Sequence, residues 1–186
     1  MKNNTRSMYF DSKHEIPLVL ENYGDIFSDF DPRQFRHRAL STDFLNELKR
    51  ASIDKENRNI EIKFILPKKE RNLKDEIIIK KRLKEHFKKH FVIQKKEIEH
   101  MLRQGYNFIA TGIALMLAAT WLIFYGNSHQ NFFVSLLTVF FEPGGWFLFW
   151  EGLNLVIFES KKKRPDYEFY EKMSRCRMYF SHPQKR

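Results

Sequence analysis

The chain has 186 residues, a single Cys, 42% hydrophobic residues and a mean hydropathy of −0.54, which on average describes a basic soluble protein. The average hides a division: Gly105 to Phe158 contains no Lys or Arg, so all 33 basic residues and 21 of the 23 acids lie outside that stretch and give the remainder a formal charge of +12. Such a length holds about one soluble domain or one small membrane unit, which excludes a large multi-domain enzyme and a transporter of many helices, and the lone Cys176 excludes an intrachain disulfide scaffold.

In chain order, Met1 to Phe10 is polar and has no continuous apolar run, which reads against a cleaved signal peptide. Ile16-Pro17-Leu18-Val19-Leu20 is a short apolar run suited to an edge strand, because Pro17 would be awkward in a central one. A turn-rich stretch leads to Asp29, Asp31 and His37, which suggest acid–base chemistry but read more simply as a turn opened by capping carboxylates. Ser41-Thr42-Asp43 then supplies helix-capping residues ahead of the apolar face of Phe44, Leu45 and Leu48. From Asn59 to Leu66, Ile60, Ile62, Phe64 and Leu66 alternate with polar residues, the pattern of a half-buried strand.

Leu73 to Gln104 lacks Pro and Gly, and Ile79, Leu83, Phe87 and Phe91 recur at helical spacing, predicting one long helix that runs on into the apolar region at Gly105. His86 and His90 sit four apart on it, but two ligands do not make a zinc site, and they read as packing or solvated histidines. Lys80, Lys81, Arg82, Lys84, Lys88, Lys89, Lys95 and Lys96 make the helix cationic. Three readings compete: a solvated face, attraction to anionic lipid headgroups, and binding of a polyanion such as a nucleotide or nucleic acid. For the third, the candidate ligand-binding residues are Arg36, Arg38, Arg82, Lys88 and Lys89, with Phe35 as a stacking surface.

Tyr106 to Tyr125 is uncharged and close to the roughly 20 residues that cross a bilayer. Gly105, Ala110, Gly112, Ala114, Ala118 and Ala119 offer small surfaces for a neighbouring helix. The polar Gly126-Asn127-Ser128-His129-Gln130 suits a hairpin turn, and a second apolar segment follows from Asn131 to Phe158. Straight, it would overshoot the hydrocarbon, and Glu142-Pro143-Gly144-Gly145 predicts a break into two half-helices or a strong kink. Glu142, Pro143, Gly144, Gly145 and Glu151 are therefore candidate pore or gate residues, since an ionisable group inside a membrane marks a functional site by default. The competing reading has Glu142 capping a half-helix and Glu151 near an interface or a basic partner.

Lys95, Lys96 and Arg103 before the first apolar helix, and Lys161-Lys162-Lys163-Arg164 after the second, place both termini in the cytoplasm. Tyr167 to Met173 suits a short helix and Arg175 to Ser181 a final strand able to join the Ile60–Leu66 strand. The expected fold is a membrane α+β protein: residues 1–104 a cytoplasmic basic sensor region, 105–158 a transmembrane hairpin, and 159–186 a C-terminal segment joining the sheet, with several copies in an oligomer. No Gly-rich phosphate loop, paired CxxC or nucleophile elbow is present, so the sequence reads as a non-enzyme without a cofactor or a metal.

Phe30-Asp31-Pro32 through Phe35, Arg38 and Leu40, the strand ending Leu66-Pro67, the basic helix ending Arg103-Gln104-Gly105, and Gly145-Trp146 through Trp150 together resemble a family of uncharacterised bacterial two-helix membrane proteins. Glu151-Gly152 stands where those relatives commonly carry Arg-Pro. The layout is also similar to that of the membrane channel effectors of the Hailong anti-phage systems. That resemblance implies a homo-oligomeric channel of the bacterial inner membrane, gated by a nucleotide or a single-stranded oligodeoxynucleotide, acting by depolarisation, with a nucleotidyltransferase encoded nearby. The alternative is a non-channel membrane adaptor that anchors a cytoplasmic partner.

Overall fold

A computed structural model describes residues 14–53, 55, 60–125 and 132–183. The readings made for Met1–Phe10, Asn59, the Gly126–Gln130 turn and Asn131 fall outside the described residues. The elements are strand β1 (Glu15–Val19), helix α1 (Thr42–Ile53), strand β2 (Glu61–Ile65), helix α2 (Leu73–Tyr125), helix α3 (Phe132–Leu153), helix α4 (Ser160–Arg175) and strand β3 (Arg177–Ser181). They form two compact units: residues 1–92 with 168–186, and residues 93–167.

The first unit is built on a three-stranded sheet in the order β1-β2-β3, parallel throughout. Parallel neighbours need a crossover. The segment holding α1 supplies the one between β1 and β2, and the chain from α2 to α4 supplies the one between β2 and β3. Pro17 sits on an edge strand, as its missing N–H requires, and β2 is central. Its alternation puts Ile62 and Phe64 on one face beside Ile16, Leu18 and Phe180. Ile79, Leu83 and Phe87 of α2, Phe44 and Leu48 of α1, and Phe169 and Met173 of α4 complete that core. The capping expected ahead of α1 is made by Ser41, whose Oγ accepts the Phe44 N–H at 3.4 Å. At the other end, Lys172 Nζ donates to the carbonyls of Ser52 and Lys55, a cation placed where the helix leaves acceptors unfilled.

The loop around Asp31 is a closed turn. Its carboxylate accepts from the Arg33 and Ala39 backbone N–H groups at 3.1 and 2.6 Å and from the Arg33 guanidinium at 2.9 and 2.8 Å. These donors hold the carboxyl well below the usual carboxylate range, the Arg33 side chain foremost.

The second unit contains the helix pair. α2 runs 53 residues without interruption, and α3 continues through a π-helical turn at Asn154–Glu159 into α4. Both helices are long and apolar enough to cross a membrane, and their most apolar windows are only 11% and 6% buried. Within residues 93–167, α2 and α3 pack antiparallel through glycines: Gly105 against Gly152, and Gly112 against Gly145. On each helix the two glycines are seven residues apart, two turns at the 3.5-residue period that keeps one stripe facing a partner helix. Ala119, the next step on α2, is also buried. Backbones approach where only hydrogen stands between them, and that close approach is what holds apolar helices together without water to drive them.

Two expectations are corrected. α3 is continuous through Glu142-Pro143-Gly144-Gly145, so the two half-helices are not formed; Pro143 removes a single N–H from the ladder, and Gly145 packs closely against α2. The irregularity lies at the π-turn, twelve residues on from Glu142. α4 is also longer than the predicted Tyr167–Met173 helix, with Pro165 inside it.

Candidate functional site

The five candidate pore residues do not form one cluster. Gly145 is buried against α2, where a Cβ would lie 2.9 Å from the Gly112 carbonyl oxygen and 2.9 Å from Met116 Cγ. It brings α3 into close contact with α2. A Cβ on Gly144 meets nothing within 4 Å. Glu142 and Pro143 are exposed, and Glu151 is half-buried. Nine residues separate the two acids, about 180° at 3.6 residues per turn, so they stand on opposite sides of α3. The glycine register places Glu142 level with Leu115, three residues on from Gly112 and at the midpoint of Gly105–Tyr125. An exposed carboxylate thus sits halfway along the Lys- and Arg-free stretch of the helix pair, whose other acid is Glu151, and it is flanked by exposed Val139, Phe140, Trp146 and Phe147.

The candidate ligand-binding residues lie on the loop before α1 and on α2, and two of them meet. Arg38 is half-buried in its own loop: its Nε donates to the Ser28 carbonyl at 3.0 Å, and its guanidinium lies 3.8 Å from Asp29 and 5.9 Å from the Phe27 ring centre. Arg82 reaches the Arg38 carbonyl from α2. Arg36 and Lys88 are exposed, and Arg82 and Lys89, seven apart, share a face of α2. Phe35 is not a free stacking surface, since it stacks on Phe27 at 5.2 Å and meets Tyr23 edge-on at 6.1 Å.

On the same part of α2 the His86 and His90 rings lie 4.2 Å apart, tilted by 37°, and His90 stacks on Tyr170 of α4 at 5.1 Å. No group of three metal-ligating side chains occurs among the described residues. Burial pushes His86 down to about 4, and the charges of His90, Arg82 and Lys89 push the same way. The unfolded chain therefore binds a proton at His86 near pH 6.5 that the folded chain refuses until about pH 4. The expected result is that thermal stability of the protein falls as pH is lowered through 6.5 towards 4 and that His86→Phe flattens this dependence, measured by circular dichroism melts; an unchanged slope removes His86 as its source. Cys176 is buried and its thiol is pushed up to about 12 by burial, so at neutral pH it is a protonated, poor nucleophile.

One feature escaped the sequence reading. Lys95, Ile98, Glu99 and Leu102 of α2 meet Val156, Ile157, Ser160, Lys161, Arg164 and Tyr167 around a groove of about 600 Å³. Its only sequence signals are the helical spacing of Ile98 and Leu102 and the Lys161–Arg164 run, which read singly as interface charges. Comparison with protein-family models, with curated proteins and with solved structures finds no match to this chain.

Proposed function

We propose that the chain is the subunit of a homo-oligomeric ion channel of the bacterial inner membrane, with both termini in the cytoplasm. The observation that carries this reading is the exposed Glu142 at mid-length of the Lys- and Arg-free stretch of the helix pair. An acidic side chain at a bilayer centre costs about 2.5–3.5 kcal/mol even on the mildest scale. Facing lipid, Glu142 has nothing to offset that cost. Facing an axis shared with other copies, it meets water and cations. A single hairpin encloses no path, because its own interface is closed glycine to glycine, so several copies are required, and a closed ring of three to six satisfies the usual cyclic symmetry. Acid rings of this kind favour cations.

Arg82 and Lys89 on one face of α2, with exposed Arg36, support a basic cytoplasmic sensor for a nucleotide or single-stranded oligodeoxynucleotide. Release of that ligand would depolarise the membrane in anti-phage defence, with a neighbouring nucleotidyltransferase as its source. The second reading, an adaptor without a channel, rests on the two sheet edges, since among the described residues β1 and β3 each pair on one side only.

Ion flux from liposomes holding purified protein, with and without short single-stranded DNA, tests the proposal. Wild type is expected to pass cations, DNA to suppress the flux, and Glu142→Gln to lower cation-over-anion preference several-fold with oligomer size unchanged. Wild-type selectivity in Glu142→Gln removes this residue from the path, and no flux from verified oligomers moves the function to the adaptor.

A further inference from the structure

The groove between α2 and the α3–α4 segment, wholly within residues 93–167, has two chemistries. Ile98, Leu102, Val156 and Ile157 line it with hydrocarbon, and Lys95, Lys161 and Arg164 supply three cations. Glu99 is the one carboxylate of the lining, and it lies 3.8 Å from Lys95 Nζ, so Lys161 and Arg164 are left as the principal phosphate donors. Ser160 is not one of them, because its hydroxyl donates to the Val156 carbonyl at 2.5 Å.

The π-turn at Asn154–Glu159 shapes this groove. It carries Val156 and Ile157, and its Ser160 N–H donates to Leu155 five residues back, widening the helix where the Gly152 contact ends. Such turns recur at functional sites because they re-aim side chains that a regular helix would keep on its seam. The groove also lies where the uncharged stretch gives way to the Lys161–Arg164 run. Apolar lining towards the uncharged side and cations towards the charged side match a ligand with an acyl chain and an anionic head.

We propose that this groove holds one anionic phospholipid per chain, its phosphate on Lys161 and Arg164 and an acyl chain along Ile98, Leu102 and Val156. This inference rests on the membrane reading above. Basic recesses between membrane helices at the cytoplasmic side are known to take such headgroups. A free phosphate would use the same cations but leave the apolar lining bare.

The test is native mass spectrometry of delipidated full-length protein in detergent, titrated with phosphatidylglycerol, with phosphatidylcholine of the same acyl chains, and with inorganic phosphate. One phosphatidylglycerol per chain is expected to be retained about tenfold more tightly than phosphatidylcholine. K161Q/R164Q should abolish that preference, R164K should keep it, and K96Q/R103Q, on exposed positions of α2 that do not line the groove, should leave it intact. Equal retention of the two lipids overturns the proposal, as does equal loss in both double variants, which would mean diffuse attraction. Inorganic phosphate displacing the lipid completely overturns the acyl half and makes this a free-phosphate site. An alkaline carbonate wash of membranes separates the two levels: chain that is washed off refutes the membrane reading itself, whereas retained chain without lipid preference refutes the groove alone.

Discussion

Replacing Gly112 by Leu is expected to separate α2 from α3 and leave the protein aggregated or strongly destabilised in detergent. A Cβ at Gly112 would lie 2.6 Å from both the Gly145 carbonyl oxygen and the Phe149 nitrogen and 3.0 Å from Phe149 Cα. All three are backbone atoms, so no side chain can turn aside, and relief requires moving a whole helix. Overpacking of ordinary cores costs about 1–3 kcal/mol; here the loss should reach the top of that range, because opening this contact also opens Gly105 against Gly152, seven residues away. Gly144→Ala is the internal control. Its Cβ meets nothing within 4 Å, and Ala is favoured over Gly in a helix by roughly 0.5–1 kcal/mol. Thermal melts in detergent should therefore move in opposite directions for the two variants, and a Gly112→Leu melt at the wild-type temperature would refute the packing described.

Arg71→Ala should cost the first unit about 3 kcal/mol, the lower end of the range for stripping a buried charge of its partner. Glu76, in the first turn of α2, is only 3% exposed, and its carboxylate accepts from Arg71 Nε at 2.7 Å and from the second guanidinium nitrogen at 3.1 Å. Tyr23 donates to the same carboxylate at 3.4 Å while its hydroxyl oxygen accepts the Asn72 N–H at 2.9 Å. Without Arg71, the helix N-terminus and one long tyrosine contact are left to hold a desolvated anion. The Arg71 side chain is 25% exposed, so water softens the penalty. Glu76→Gln should cost less, since the amide oxygen still accepts from Arg71. Arg71→Ala combined with Glu76→Leu should recover part of the loss, because it removes both the orphaned charge and its desolvation. Denaturant unfolding of the three variants decides this; a double variant no more stable than Arg71→Ala, with Glu76→Gln at the wild-type value, would mean that Arg71 acts through packing alone.

Part of this architecture is readable from composition and period. The apolar stretches of α2 and α3 stand out because no Lys or Arg interrupts Gly105 to Phe158, and β2 stands out because Ile60, Ile62, Phe64 and Leu66 alternate, all four being buried. Pro17 marks β1 as an edge strand through its missing donor. Other signals misled because they were local. Glu142-Pro143-Gly144-Gly145 carries the residue types of a break, yet one absent N–H is affordable in a helix whose neighbour needs Gly145 for contact. The contacts of Phe35 and Arg38 with Phe27, Tyr23, Ser28 and Asp29 were not legible at all, since no period or spacing reports them.

By itself, the sequence determined the two long apolar helices, their charged flanks, the short strands and the buried stripe of Ile79, Leu83 and Phe87. These follow from hydropathy and from the periods of helix and strand, which each residue reports without reference to distant ones. Only the tertiary structure decided that the sheet is parallel, that Gly105, Gly112, Gly145 and Gly152 pair across the two helices, that Glu142 and Glu151 stand on opposite sides of α3, and that Lys161 and Arg164 meet Ile98 and Leu102 around one groove. The reason is one of range: propensity and period act over a turn or a strand, whereas register between helices is set by which backbones can touch, and that depends on residues some 30 to 50 positions apart being small at the same level.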